Sequence, residues 1–107
     1  MSVRALVSVP KTARRGEVIE IRTLIAHPME TGHRRDGEGR LVPRNILRRF
    51  RCRYGGETVF EAELHPAVAA NPLLSFFTVA TTSATLEFTW EGDGGFVHSV
   101  TAVLEVA

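Results

Sequence analysis

Apolar and polar residues along this chain alternate with a period of two, the spacing that puts successive side chains on opposite faces of a strand. Segments near 3–9, 17–26, 46–54, 57–64, 73–80, 84–91 and 96–106 are short and rich in β-branched and aromatic residues, with Gly, Pro or polar clusters between them. The last two are the clearest pair. Leu86, Phe88 and Trp90 alternate with Thr85, Glu87, Thr89 and Glu91. Gly92-Asp93-Gly94-Gly95 follows with the backbone freedom at positive φ that a hairpin loop uses. The partner strand then sets Phe96, Val100, Ala102, Leu104 and Val106 on one face. Seven short antiparallel strands in one chain of 107 residues predict an all-β, immunoglobulin-like sandwich forming a single domain over 1–107. Helix is confined to a short turn at Pro66 to Ala70, which Asn71-Pro72 ends.

Between the second and third segments lies the one long irregular stretch, 27–45, broken by Pro28, Gly32, Gly37, Gly39 and Pro43. Loops of that length inside a compact domain are usually functional or disordered. His27, Glu30, His33 and Asp36 are spaced by threes, which on a helix would share a face and could ligate a metal. Pro28 and Gly32 break any such helix, so scattered loop side chains are the expectation. Asp36-Gly37-Glu38-Gly39 lacks the alternating oxygen ligands and distal Glu of a calcium loop.

Arg48, Arg49, Arg51 and Arg53 interleave with Phe50, Cys52 and Tyr54, a pattern that suggests a nucleic-acid surface. The next segment answers it with Glu57, Glu61 and Glu63. A strict two-residue turn at Gly55-Gly56 would set Arg51 opposite Phe60 and mix the faces. An odd-length loop, with Gly in the left-handed region and a bulge, restores the match. Phe50 and Cys52 then point inward and the arginines lie beside the glutamates as a salt-bridged solvent face.

The totals agree: 13 basic against 12 acidic residues give a net charge of +1 and no global pull toward nucleic acid or acidic membranes. The single cysteine, Cys52, excludes an internal disulfide. On a predicted apolar face it reads as an inert small hydrophobe. Ser75, Ser83 and Ser99 lack the strand-to-helix elbow of a hydrolase. His98 reads as a buried, hydrogen-bonded residue, and His65 as loop punctuation before Pro66. No stretch approaches the roughly 20 apolar residues of a membrane-spanning helix, and the N-terminus has no basic start and apolar run of a secretory signal. No enzyme, metal or cofactor is expected from these residues.

The 27–45 stretch carries a resemblance. From His27 to Pro43 it matches H-x-M-E-T-G-x-R-x-D-x-x-G-x-x-[IV]-P, without a gap, at His27, Met29, Glu30, Thr31, Gly32, Arg34, Asp36, Gly39, Val42 and Pro43. Asn71-Pro72-Leu73-Leu74-Ser75-Phe76 looks like N-P-[FL]-[FL]-x-F. Both patterns resemble those of the SoxZ family, and the likeness extends over nearly the whole chain. Leu73 stands where Phe is more usual, and Arg44-Asn45 is more polar than the family pattern. The resemblance implies a non-catalytic immunoglobulin-like scaffold that pairs tightly with a SoxY subunit. That subunit's flexible arm bears the cysteine carrying sulfur intermediates of thiosulfate oxidation to other Sox enzymes. It also implies a periplasmic site of action, reached folded with a SoxY-like partner whose export signal serves both chains. His27, Met29, Glu30, Thr31, Gly32, Asn71, Pro72 and Phe76 are the partner-interface candidates; the other role open to each is holding the fold. Alone, the chain is expected to self-associate through the surface its partner covers. The rival reading is an immunoglobulin-like binding module of another periplasmic pathway.

Overall fold

The computed structural model describes residues 3–107 and turns the alternation into two stacked sheets. The strands are β1 (Ala5–Ser8), β2 (Thr12–Ala13), β3 (Val18–Ile25), β4 (Leu47–Tyr54), β5 (Glu57–Glu63), β6 (Leu73–Val79), β7 (Ala84–Gly92) and β8 (Val97–Val106). One sheet has the order β1-β3-β6 and the other β2-β8-β7-β4-β5. All seven expected strands are present and the fold is the predicted sandwich. The added strand, β2, is two residues long and pairs parallel with the end of β8, Thr12 beside Glu105 and Ala13 beside Val106. Two residues carry no readable period; only the position of β8 recruits them.

Strict burial alternation on β3 sends Ile19, Ile21, Thr23 and Ile25 inward. Phe76 joins them from β6, and Leu47, Phe50, Cys52, Tyr54, Leu86, Phe88, Trp90 and Leu104 face them from the second sheet. Phe50 sits at the middle, its ring centroid 5.2 Å from Trp90, 6.0 Å from Phe76 and 6.4 Å from Phe88. Phe60 stacks on Phe76 at 4.3 Å and ties the edge strand β5 to the opposite sheet. Rings at these separations contribute packing beyond their buried area. The Tyr54 hydroxyl accepts from the Thr81 N–H at 3.1 Å and donates to the Thr82 carbonyl, so β4 holds the turn between β6 and β7.

The β4–β5 hairpin corrects one expectation. Its loop is the two-residue turn Gly55-Gly56, with φ of 57° and 88°, and Tyr54 lies opposite Glu57. Two glycines at positive φ give the tight turn whose twist matches that of the flanking strands. The extra residue is Val59, within β5, where the register passes from Arg53–Thr58 to Cys52–Phe60. The compensation is the expected bulge, placed in the strand and not in the loop. A second bulge against β7, between Leu47 and Arg49, puts both Arg48 and Arg49 at the surface.

The β7–β8 turn closes through a short 3₁₀ turn, Asp93–Gly95, with Gly94 and Gly95 at positive φ. His98, opposite Trp90 and 6.1 Å from its ring, is half-buried rather than buried.

Candidate functional site

The 27–45 stretch is a strap followed by a narrow ribbon. Leaving β3, the His27 N–H donates to Asn71 Oδ1 at 2.9 Å, and the Asn71 N–H returns a bond to the His27 carbonyl at 2.8 Å. Asn71 sits at φ 54°, a left-handed conformation that Asn tolerates better than most residues. Pro72 is buried and fixes the entry into β6. His27 is 5% exposed; its Nδ1 accepts from the Met29 N–H at 3.0 Å, and its ring meets Phe96 edge-on at 5.6 Å. Burial pulls the His27 pKa below that of an ordinary histidine, outweighing the opposing effects of the Asp93 charge and Asn45. The ring is therefore a neutral acceptor that shapes the backbone two residues on.

Met29 has φ 50° and is buried, its sulfur accepting the Leu47 N–H at 3.2 Å. Glu30 and Asn45 then exchange two backbone bonds of 2.8 Å. Residues 27–30 thus cross from the first sheet to the start of β4 in the second. His27, Met29, Pro72 and Phe76 point into the protein. Glu30, Thr31 and Gly32 are half-buried and Asn71 is exposed.

Beyond the strap, the ribbon is held by its own polar groups. Arg34 grips both oxygens of Glu30 at 2.6–3.1 Å, which keeps that carboxyl below its usual pKa. Gly32 has φ 89°, and a Cβ there would stand 3.2 Å from the Cβ of Arg44. At the tip, Asp36 accepts from the Glu38 and Arg40 N–H groups at 2.9 and 3.0 Å, which depresses its pKa, and the Arg35 guanidinium donates to the Gly39 carbonyl at 2.7 Å. At the base, Asp93 accepts two bonds of 2.9 Å from Arg44 and one of 3.1 Å from the Ile46 N–H. Arg44 and that N–H hold its carboxyl low. The oxygens of this region are occupied by arginines and amides. His27, Glu30, His33 and Asp36 do not converge, and among the described residues no group of three or more His, Cys, Asp or Glu is placed to hold a metal.

The arginine strand behaves as charge neutrality predicts. Arg49 pairs with Glu61, and Arg51 lies 3.7 Å from the same carboxylate. A groove of about 440 Å³ beside it sets Arg44, Arg48 and Arg49 against Glu63 and Glu91, and Asp93 pairs with both Arg44 and Arg48, so the arginines are not free to trap an anion. Cys52 is fully buried, and burial pushes its thiol up to about 12. At neutral pH it is a protonated, inaccessible thiol. Ser83 accepts the Val106 N–H, Ser99 bonds Thr89 and Ser75 bonds Glu20, so these three hydroxyls are engaged in the sheets.

The sequence matches the family described as "Sulphur oxidation protein SoxZ" over residues 7–103. The chain belongs to the SoxZ family. It is thus a subunit of a sulfur-oxidation system. No curated protein sequence matches it. Solved structures share the fold at low identity. The SoxY sulfur carrier protein from Chlorobium limicola f. thiosulfatophilum is 12% identical, with a TM-score of 0.68 over 96% of this chain and 78% of that one. A superoxide reductase (neelaredoxin) from Ignicoccus hospitalis is 12% identical, with a TM-score of 0.72 over 96% and 80%. A putative superoxide reductase from Thermotoga maritima is 13% identical, with a TM-score of 0.72 over 96% and 85%. These likenesses concern the sandwich alone.

One feature was missed by sequence reasoning: the outer face of the β1-β3-β6 sheet is apolar. Leu6, Val18, Leu24, Leu73, Phe77 and Val79 all point to solvent. A signal for it existed. In the segments 3–9, 17–26 and 73–80, residues of both parities are hydrophobic, as in strands covered on both sides.

Proposed function

We propose that this chain is the non-catalytic scaffold of a SoxYZ-type carrier complex. It pairs with a SoxY-like subunit whose arm cysteine bears the sulfur intermediates of thiosulfate oxidation. It works in the periplasm, having been exported folded with that partner. The observation that carries this reading is Cys52. A carrier must expose a thiolate, and the only sulfhydryl of this chain is sealed in the core with its pKa raised to about 12. The sulfur therefore rides on another chain. Membership of the family and the engagement of the ribbon's polar groups in holding its own shape support the same role.

Within the two motifs, Glu30, Thr31, Gly32 and Asn71 offer surface to the partner. His27, Met29, Pro72 and Phe76 act from inside, by setting the path of the backbone that carries those four. Co-expression with the SoxY-like chain of the neighbouring gene tests the reading. A single co-eluting heterodimer at micromolar concentration is expected; two separately eluting chains overturn it.

A further inference from the structure

The outer face of the three-stranded sheet is built in rows. Leu6, Leu24 and Leu73 lie side by side across β1, β3 and β6, and Val18 lies beside Val79 at the far end. Between these rows, Arg22 pairs with Glu20 at 3.2 Å, and Ser75 donates to Glu20 at 3.1 Å. Phe77, opposite Glu20, is 64% exposed, and Leu6 and Leu73 are 70% and 65% exposed. At about 150–200 Å² for each large residue fully exposed, the six apolar side chains present on the order of 500–700 Å². That reaches or passes the largest patch usual on a monomer, about 300–600 Å². It is also most of the roughly 800 Å² that each side gives to a standard stable interface. The registers of β1, β3 and β6 contain no bulge to twist the face away from a partner.

We infer that this face is where the SoxY-like subunit docks, its own sandwich packing sheet to sheet on the leucine row. The inference rests on the scaffold role proposed above and names the surface that performs it. Three observations favour this occupant. The exposed apolar area is most of what one side gives to a standard stable interface. The Chlorobium limicola SoxY carrier has the same sandwich over 96% of this chain, so such a partner has a sheet to offer. The neutral Arg22–Glu20–Ser75 centre calls for an apolar or hydrogen-bonding counterpart and for no charged one. At the rim, a depression of about 250 Å³ lined by Arg4, Leu6, Leu24, Ala26 and Asn71 has room for one large apolar anchor from the partner. It joins the face to Asn71 and hence to the signature strap.

The test measures the dissociation constant of the full chain for the co-purified SoxY-like subunit, with Leu73→Asp and Phe77→Asp as variants. Each is expected to weaken binding by about 30-fold or more, the scale of losing an interface hot spot. Both point to solvent, so the thermal melt of the isolated chain stays in place. Leu73→Asn and Phe77→Ser replace them if the aspartates disturb that melt. Val103→Asp, equally exposed at 65% on β8 of the other sheet, is expected to leave affinity within about 3-fold. Wild-type binding undiminished in both face variants overturns the docking surface while the scaffold role stands, and so does damage confined to Val103→Asp. A self-dimer broken by Phe77→Asp, with affinity for the SoxY-like subunit intact, assigns the face to a second copy and also overturns it. Failure of the wild-type chain to bind defeats the scaffold role itself.

Discussion

The two sheets share one core but turn opposite faces to the outside. On the five-stranded sheet, the outward positions of β4 and β5 form a ladder, Arg49 beside Glu63 and Arg51 beside Glu61, and β7 continues it with Glu87, Thr89 and Glu91. Within it Glu61 is paired with both Arg49 and Arg51. The outward positions of the three-stranded sheet hold leucines, valines and a phenylalanine around a single Arg–Glu pair. The same architecture thus carries a charged ladder on one face and rows of exposed apolar side chains on the other. That asymmetry is what the proposed scaffold role calls for: one face left to water and one left to a partner.

Adjacent residues of β6 sharpen the contrast most. Phe76 is buried against Phe50 and Phe60, whereas Phe77 faces out. Phe76→Ala is expected to cost about 3–5 kcal/mol of stability in a denaturant titration. Phe77→Ala is expected to change it by no more than about 0.5 kcal/mol. Similar losses from both would erase the distinction between the faces.

Next in size is Gly92→Ala, at the end of β7. An added Cβ there would meet the Ile46 carbonyl oxygen at 2.7 Å. The five-stranded sheet is expected to lose about 1–3 kcal/mol to that clash. Calorimetry should show a lowered melting temperature, with partner affinity of the folded protein unchanged.

Breaking the charged ladder does less. Arg49→Ala and Arg51→Ala are each expected to cost no more than about 1 kcal/mol, because exposed pairs lose to water and entropy most of what Coulomb attraction supplies. Chemical denaturation at low and high salt checks this; a larger cost would mean that the polar face is structural.

The smallest effect is read by pH. His27 has a folded pKa below its unfolded one, so the unfolded chain binds more protons as pH falls below about 6.5. Stability is therefore full above that value and declines as pH drops toward the folded pKa. His27→Gln should remove this step. Glu30, Asp36 and Asp93, all depressed, contribute stability that is present above their unfolded values and lost below about 4, as acid protonates them. A melt series across both windows separates the two.

Much of the fold was legible because burial on one face writes a period of two into the chain, and Leu86, Phe88 and Trp90 show it without interruption. Where both faces of a strand are apolar the period fades. For that reason β1, β3 and β6 could be located while their outward residues went unread. The signature motif was legible as a family marker, but its division of labour was not. His27 and Met29 are four residues or fewer from Thr31, yet they face the core, since the backbone reverses at Met29, in the left-handed region, and crosses between sheets.

The sequence by itself determined the sandwich, the burial of Cys52, the neutral arginine–glutamate face and membership of the SoxZ family. All four depend on local alternation or on residue identity in register. Only the tertiary structure decided that β2 joins β8, that the hairpin bulge falls at Val59 and that Asn71 locks His27. It alone lined up Leu6, Leu24 and Leu73 into one row. The reason is distance along the chain: Leu6 and Leu73 become neighbours through pairing with β3, and strand pairing between remote segments leaves no periodic mark in either one.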